Sequence, residues 1–324
     1  MSIHQENSKE KQYPLDDLQM KYVLYPPVNV LILEGKDVLD FIHRMSTNDV
    51  LGLVEGTGTT TIFTNEKGRI IDVVDLYHLN GSIHLVHSAD AREDLKKIFE
   101  KYVIMEDVSI QEYPDHTCIL SLYGSTGSKE IFSGEAGSLE MSSPRIFPDG
   151  KLFYVAKKNV SDMSLIKNGE HVDFKTVNML RLEKGIPLLN QDYDSSINPL
   201  ESNLQEFVSW TKGCYIGQEV IARLDTYQKI KRFLKGVVLD DHVSEKDIDR
   251  YENEDVEPVI FSIDNTEAGK VTSLGYSPTL NTSILMARFE KGKEKTGDKV
   301  TLKLGDSEYT GTIVDLPFVK GDNG

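Results

Sequence analysis

The sequence predicts an α+β protein in which a long mixed body is followed by a C-terminal antiparallel β-barrel. Three observations lead there. The first two hundred or so residues mix strand-like and helix-like periodicities. From Lys231 onward the texture changes to short alternating segments separated by Gly, Asn and Asp, the pattern of a small barrel or sandwich. The length of 324 residues also exceeds one ordinary domain of roughly 150 residues.

The elements follow in order. Residues 28–33 read as a strand running into Gly35, and residues 36–45 as a helix with Val38, Leu39, Ile42 and Met45 at helical spacing. A β-rich run begins at Thr59, turns at Asn65-Glu-Lys-Gly68 and continues as a long strand over 69–79. Asn80-Gly81 signals a two-residue hairpin, since a type I′ turn needs positive φ at both central positions. The return strand is 82–87, and Ser88 is placed to cap a helix over 89–102 with Leu95, Ile98 and Phe99 on one face. Two further strands are expected over 107–113 and 117–123. Between 124 and 150, 11 of 27 residues are Gly or Ser, so this reads as a loop-rich connection with a short helix near 127–132. A helix over 172–183 buries Val172, Val177, Leu180 and Leu182 and stops at Gly185-Ile-Pro187. After a polar, turn-rich stretch over 190–210 come six barrel strands, at 233–239, 257–263, 268–276, 284–289, 298–304 and 308–314. Residues 240–257 carry nine Asp or Glu and read as a solvated loop. The resulting domain map is a disordered N-terminus over 1–20, a body over 21–230 in two subdomains, and a barrel over 231–324.

Composition excludes several classes of function. With 36 basic and 52 acidic residues the net charge is −16, which opposes bulk binding to nucleic acid or anionic membrane. No stretch approaches the ~18 apolar residues of a membrane helix. Two cysteines, Cys118 and Cys214, build neither a disulfide scaffold nor a four-cysteine metal site, and suit a reducing, cytoplasmic compartment. His84 and His87 are three apart on a strand, on opposite faces, so no metal site is expected from them. The local basic cluster Lys229-Ile-Lys-Arg-Phe-Leu-Lys235 is read as a solvated strand entrance, with an RNA contact as the alternative.

The window richest in chemistry is Lys212-Gly-Cys-Tyr-Ile-Gly-Gln-Glu219. Gly213 and Gly217 permit a tight turn that exposes the sulfur, and residues 218–224 can start a helix after it. A thiol near a helix N-terminus and near Lys212 has its thiolate favoured by the dipole and the cation, which makes Cys214 the candidate reactive group.

This octapeptide resembles the Lys-Gly-Cys-Tyr-x-Gly-Gln-Glu signature of the YgfZ family of folate-binding proteins, relatives of the glycine-cleavage T-protein, an aminomethyltransferase. Four further segments are similar to that superfamily. Gly35-Lys-Asp-Val-Leu-Asp-Phe-Ile42 with Ser46-Thr-Asn-Asp49 resembles its opening helix and loop, and Thr64-Asn-Glu-Lys-Gly-Arg-Ile-Ile-Asp72 its Gly-x-Ile-x-Asp strand. Arg181-Leu-Glu-Lys-Gly-Ile-Pro187 resembles its pterin-side motif; Gly269-Lys-Val-Thr-Ser273 and Ser277-Pro-Thr-Leu280 resemble its C-terminal barrel.

The resemblance implies a T-protein-like fold with a folate-binding body, and tetrahydrofolate as cofactor. It implies Glu183 reading the two adjacent donors of the pterin edge and Asp72 near the N5–N10 side. Lys212 or Arg223 would meet the anionic glutamyl tail, and Tyr215 would be a further folate contact. The transferase relatives carry two consecutive acids where this chain has Asp72 and Val73, and they lack the cysteine signature. Both departures point to the YgfZ branch, and the resemblance to that branch implies a tetrahydrofolate-binding accessory protein that supports assembly or repair of iron–sulfur clusters in client enzymes. A true aminomethyltransferase is the enzymatic alternative, and an RNA-associated protein the binding alternative.

Overall fold

A computed structural model describes residues 21–24, 28–88, 94–113, 116–122, 139–142, 151–253, 260–263, 266–304 and 307–319. The expected disordered N-terminus and the short helix near 127–132 lie outside the described residues. The body opens with β1 (Lys21–Leu24), β2 (Val28–Glu34), α1 (Val38–Met45), β3 (Gly58–Thr64), β4 (Ile70–Leu79), β5 (Ser82–Ser88), α2 (Leu95–Tyr102) and β6 (Ser109–Glu112). It continues with β7 (His116–Leu122), β8 (Leu139–Ser142), β9 (Lys151–Ala156), α3 (Ser164–Asn168), β10 (Glu170–His171), α4 (Phe174–Glu183) and α5 (Gln218–Thr226). The remaining elements are β11 (Arg232–Leu239), α6 (Glu245–Asn253), β12 (Ile260–Ile263), β13 (Thr266–Ser277), β14 (Thr282–Glu290), β15 (Lys299–Leu304) and β16 (Ser307–Val314).

The body contains two five-stranded sheets, ordered β3-β4-β5-β2-β6 and β10-β1-β7-β9-β8. The first is the one that positions the signature. β4 is buried along eight of its ten residues because both faces are covered. Ile71, Val74 and Leu76 pack with Phe41, Ile42 and Phe99 under α1 and α2, while Ile70 and Val73 pack with Tyr193, Ile197, Tyr215 and Ile221. Such a strand needs apolar residues at successive positions, which is why Ile70-Ile71 and Val73-Val74 occur as pairs. The hairpin into β5 has Asn80 at φ 55° and Gly81 at φ 77°, as the Asn-Gly pair requires.

The barrel is closed, in the order β11-β14-β13-β12-β15-β16, so all six expected strands are present and no edge is left open. Its inward positions, among them Val237, Leu274, Leu285, Phe289, Val300 and Ile313, form one apolar core. On its outer face Leu234, Ile284 and Met286 receive Leu182 of α4.

Three local expectations are corrected. α2 is capped by Asp94, whose carboxylate accepts from Lys97 N, while Ser88 ends β5. The Gly/Ser-rich connection contains strand β8. The acidic stretch holds helix α6, capped by Ser244, whose Oγ accepts from Asp247 N at 3.2 Å, with Ile248 and Tyr251 packed against the barrel core.

Candidate functional site

The signature turn is anchored on both sides of its cysteine. Lys212, only 9% exposed, sends its Nζ to the carbonyls of His43 (2.5 Å), Ser46 (2.7 Å) and Asn48 (2.7 Å). These carbonyls cluster at the C-terminus of α1, where the last turn has no intrahelical donors and the macrodipole is negative. The ammonium therefore caps α1 from a distant segment. Burial pulls its pKa down to about 8, opposed by the charge of Asp49, so the group is still a cation at neutral pH. Its Nζ also lies 5.4 Å from the ring centroid of Tyr215, which is buried in the core behind β4; burial pushes that phenol up to about 12.

Gly217 is the N-cap of α5, with φ 85°. A Cβ there would come within 2.6 Å of Asn65 O and 2.7 Å of Thr64 Oγ1, so this position needs glycine for space as well as for conformation. Thr64 Oγ1 donates to the Ile216 carbonyl at 2.6 Å. The 46–49, 64–68 and 212–219 motifs, separate in sequence, thus meet as one packed unit. Between its anchors Cys214 is exposed and its thiol is free. Lys212, expected to favour the thiolate, directs its Nζ to carbonyls around the end of α1.

Asp72, expected near the N5–N10 side of a folate, is 1% exposed. Its oxygens accept from Val73 N at 2.8 Å and Ser88 N at 2.9 Å, and His87 Nδ1 stands at 3.8 Å. Burial pushes the His87 imidazole down, away from its charged form.

Glu183 lies at the contact between α4 and the barrel. Its carboxylate accepts from Ser277 Oγ (2.5 Å), Thr279 N (3.0 Å) and Thr279 Oγ1 (3.1 Å). The two motifs Arg181–Pro187 and Ser277–Leu280 are therefore joined to each other. Arg223 is exposed and pairs with Glu219 one helical turn back, at 2.5 Å.

Two clefts flank these motifs. One of about 460 Å³ lies where the body meets the barrel and is lined by Trp210, Asn203, Gln205, Asp225, Phe233 and Leu316, among others. The other, of about 320 Å³, is walled by the 64–67 turn, Tyr102 and Ile216. None of the six residues singled out from sequence lines either cleft.

Residues 234–320 match the family of the glycine cleavage T-protein C-terminal barrel domain. The chain is 28% identical to the mitochondrial aminomethyltransferase of Solanum tuberosum, over 89% of this chain and 77% of the relative. It is 26% identical to the aminomethyltransferase of Thermosipho melanesiensis, over 90% and 83%. The crystal structure of the glycine cleavage system aminomethyltransferase T from Bartonella henselae superposes with a TM-score of 0.79, covering 96% of this chain and 89% of that one at 18% identity. The fold is T-protein-like.

Within this T-protein-like frame, sequence reasoning missed the residue that holds Arg181. Arg181 is 2% exposed and donates to Asp192 Oδ2 (2.8 Å), the Ile186 carbonyl (2.9 Å), Asn178 Oδ1 (2.7 Å) and Ser273 Oγ (2.8 Å). Asp192 in turn accepts from Thr272 Oγ1 and Ser273 Oγ, both at 2.6 Å, and from Leu188 N at 3.0 Å. The only signal was Asp192 itself, an acid just past the Gly-x-Pro stop of α4. Among the described residues no helix is long and apolar enough to cross a membrane, and no His/Cys/Asp/Glu group is arranged to hold a metal ion.

Proposed function

We propose that this protein binds a reduced folate and acts as an accessory factor in assembly or repair of iron–sulfur clusters, with Cys214 as its reactive thiol. The observation that carries the reading is the presentation of Cys214. Lys212, Tyr215 and Gly217 are locked into the body around it, while Cys214 itself is exposed. A turn held this firmly presents a sulfur to a partner without an ordering cost at the moment of contact. The T-protein-like fold supports the folate half of the reading.

The residues of the larger cleft suit a folate. Trp210, 49% exposed, offers a flat face for an aromatic ring, and Asn203 and Gln205 offer amides. Two carboxylates compete for the paired donors of the pterin edge: Glu183, assigned by resemblance, and Asp225, which lines the cleft. A bound reduced folate would supply a one-carbon carrier. The protein's own residues would orient it, and Asp72, buried and bonded to Val73 N and Ser88 N, would act as a positioning residue that holds the β4 backbone on its N5–N10 side.

Titration with tetrahydrofolate, followed by the fluorescence of Trp210 and by calorimetry, is expected to saturate. Absence of any heat or signal would remove the folate half. Glu183→Gln and Asp225→Asn then identify which carboxylate reads the pterin. Cys214→Ala is expected to keep folate affinity and lose complementation of an iron–sulfur enzyme defect. Full complementation by this variant would remove the thiol from the function. The likeness to aminomethyltransferases favours one second reading, a transferase. Robust turnover of an aminomethylated carrier protein with tetrahydrofolate would replace the accessory role by that activity.

A further inference from the structure

The loop that follows α2 carries the two most exposed large apolar side chains among the described residues: Ile104 is 83% and Met105 93% exposed. The loop is nonetheless held in place. Glu106 folds back onto it, and its Oε2 accepts from the N–H groups of Ile104 (2.9 Å) and Met105 (3.0 Å). Its Oε1 accepts from Arg44 Nη2 at 2.9 Å, and Arg44 Nε donates in turn to Asp40 at 2.9 Å. One residue on, Asp107 N donates to Asp37 Oδ2 at 2.9 Å. Two apolar side chains thus stand on a backbone tied to α1, so little ordering is left to lose when something covers them. Apolar side chains exposed singly need no explanation, but a pair pinned outward beside an apolar cleft does.

The cleft of about 320 Å³ lies along the last turn of the same helix. Ile98, Lys101 and Tyr102 line it from α2, Ile216 and the 64–67 turn from the other side, and the buried Met45, Phe63 and Ile71 give it an apolar floor. Ile104 and Met105 follow Tyr102 by two and three residues, so knob and cleft are neighbours on one surface. They also differ in charge. Lys67 and Lys101 line the cleft against one carboxylate, Glu66. Around the knob Asp37, Asp40, Glu106 and Asp107 stand with Arg44 and Lys36, a surplus of two negative charges. An acidic knob with apolar tips beside a basic cleft with an apolar floor is complementary to its own copy turned about a two-fold axis.

We propose that this surface is a homodimer interface, in which each copy of the chain places Ile104 and Met105 in the other's cleft beside Tyr102. Every contact then occurs twice, so four exposed apolar side chains and two clefts are covered together. Asp107 of each copy approaches the Lys67 and Lys101 side of the other. Because Ile216 lines the cleft and Cys214 precedes it by two residues, the interface borders the signature turn of both copies. The inference rests on neither the folate nor the thiol reading.

Sedimentation equilibrium of the full chain from ~1 to ~200 μM is the test. The parent is expected to pass from monomer to dimer with a Kd on the order of 10 μM, as suits a small two-fold patch. Met105→Asp and Ile104→Asp should each weaken pairing at least ~tenfold. Both side chains are exposed, so the melts of the dilute variants should match that of the dilute parent. Lys101→Glu should weaken pairing as well, and adding Asp107→Lys to it should recover part of the loss by restoring an opposed pair. A parent that stays monomeric up to ~200 μM would overturn the proposal and leave the surface to another partner. A dimer that both knob variants leave intact would overturn it too, since the copies would then meet elsewhere. Failure of Asp107→Lys to rescue Lys101→Glu would overturn the knob-to-cleft arrangement.

Discussion

Arg181 and Lys212 are both buried cations joining segments far apart in sequence, yet their surroundings differ in kind. Arg181 faces a carboxylate, and every neighbour in its network is matched: Asp192 takes it, and Ser273 both receives from Arg181 and donates to Asp192. Lys212 faces three neutral carbonyls and the ring of Tyr215, with Asp49 acting only through its field. The charge at the body–barrel contact is therefore compensated at contact distance, whereas the charge under the signature turn is compensated by dipoles. The first arrangement is a clamp. The second is a latch whose charge depends on pH, carried two residues before the exposed thiol.

The largest effect should come from breaking the clamp. Arg181→Met leaves Asp192, which is fully buried, as an uncompensated charge, and the expected loss is ~3–5 kcal/mol in urea unfolding. A loss under ~1 kcal/mol would mean that the hydroxyls of Thr272 and Ser273 satisfy Asp192 by themselves, and the contrast with Lys212 would collapse.

Lys212→Met should cost less, ~2–3 kcal/mol, because it strands carbonyls rather than a charge. The pH dependence distinguishes the two sites further. The folded-state pKa of Lys212 is about 8 against 10.5 for the ordinary side chain. Below about 8 both folded and unfolded chains hold the proton, and the folded state carries the full cost of burying the ammonium. Between these values the unfolded chain binds more protons, so the stability contributed by this group rises with pH and levels off above 10.5. Relative to Lys212→Met, the parent chain should gain stability across that window, and the gain should survive in Arg181→Met. A flat difference between pH 8 and 10.5 would show that the carbonyl cage holds the proton as tightly as water does.

Local patterns were legible before the structure, and long-range polar partners were not. The Asn80-Gly81 turn, the stop of α4 at Gly185 and the six barrel strands depend on backbone conformation and apolar alternation within a few residues. Both buried cations stood inside recognised motifs, but Lys212 finds its acceptors 164 to 169 positions away and Arg181 meets Ser273 92 positions away. No periodicity encodes such pairs. Lys212, Glu183 and Asp72 were likewise singled out within their motifs without the distant protein groups to which the structure bonds each of them. Helix α6 is a different failure. Its capping pair Ser244 and Asp247, and Ile248 and Tyr251 at helical spacing, were present in the sequence but masked by the surrounding acids.

The smallest effect on stability belongs to the residue with the largest expected effect on function. Cys214 is exposed, so Cys214→Ala should change stability by less than ~0.5 kcal/mol. In the native protein a thiol reagent such as Ellman's should still find this sulfur, and the alanine variant should lose one rapidly reacting equivalent. Lys212→Met sharpens the point, because it frees the turn while leaving the thiol in place. If presentation matters, that variant should keep its fast thiol and yet fail to complement an iron–sulfur defect at a temperature where it remains folded. Complementation by Lys212→Met alongside failure of Cys214→Ala would mean that the sulfur is sufficient and the latch beneath it serves stability alone.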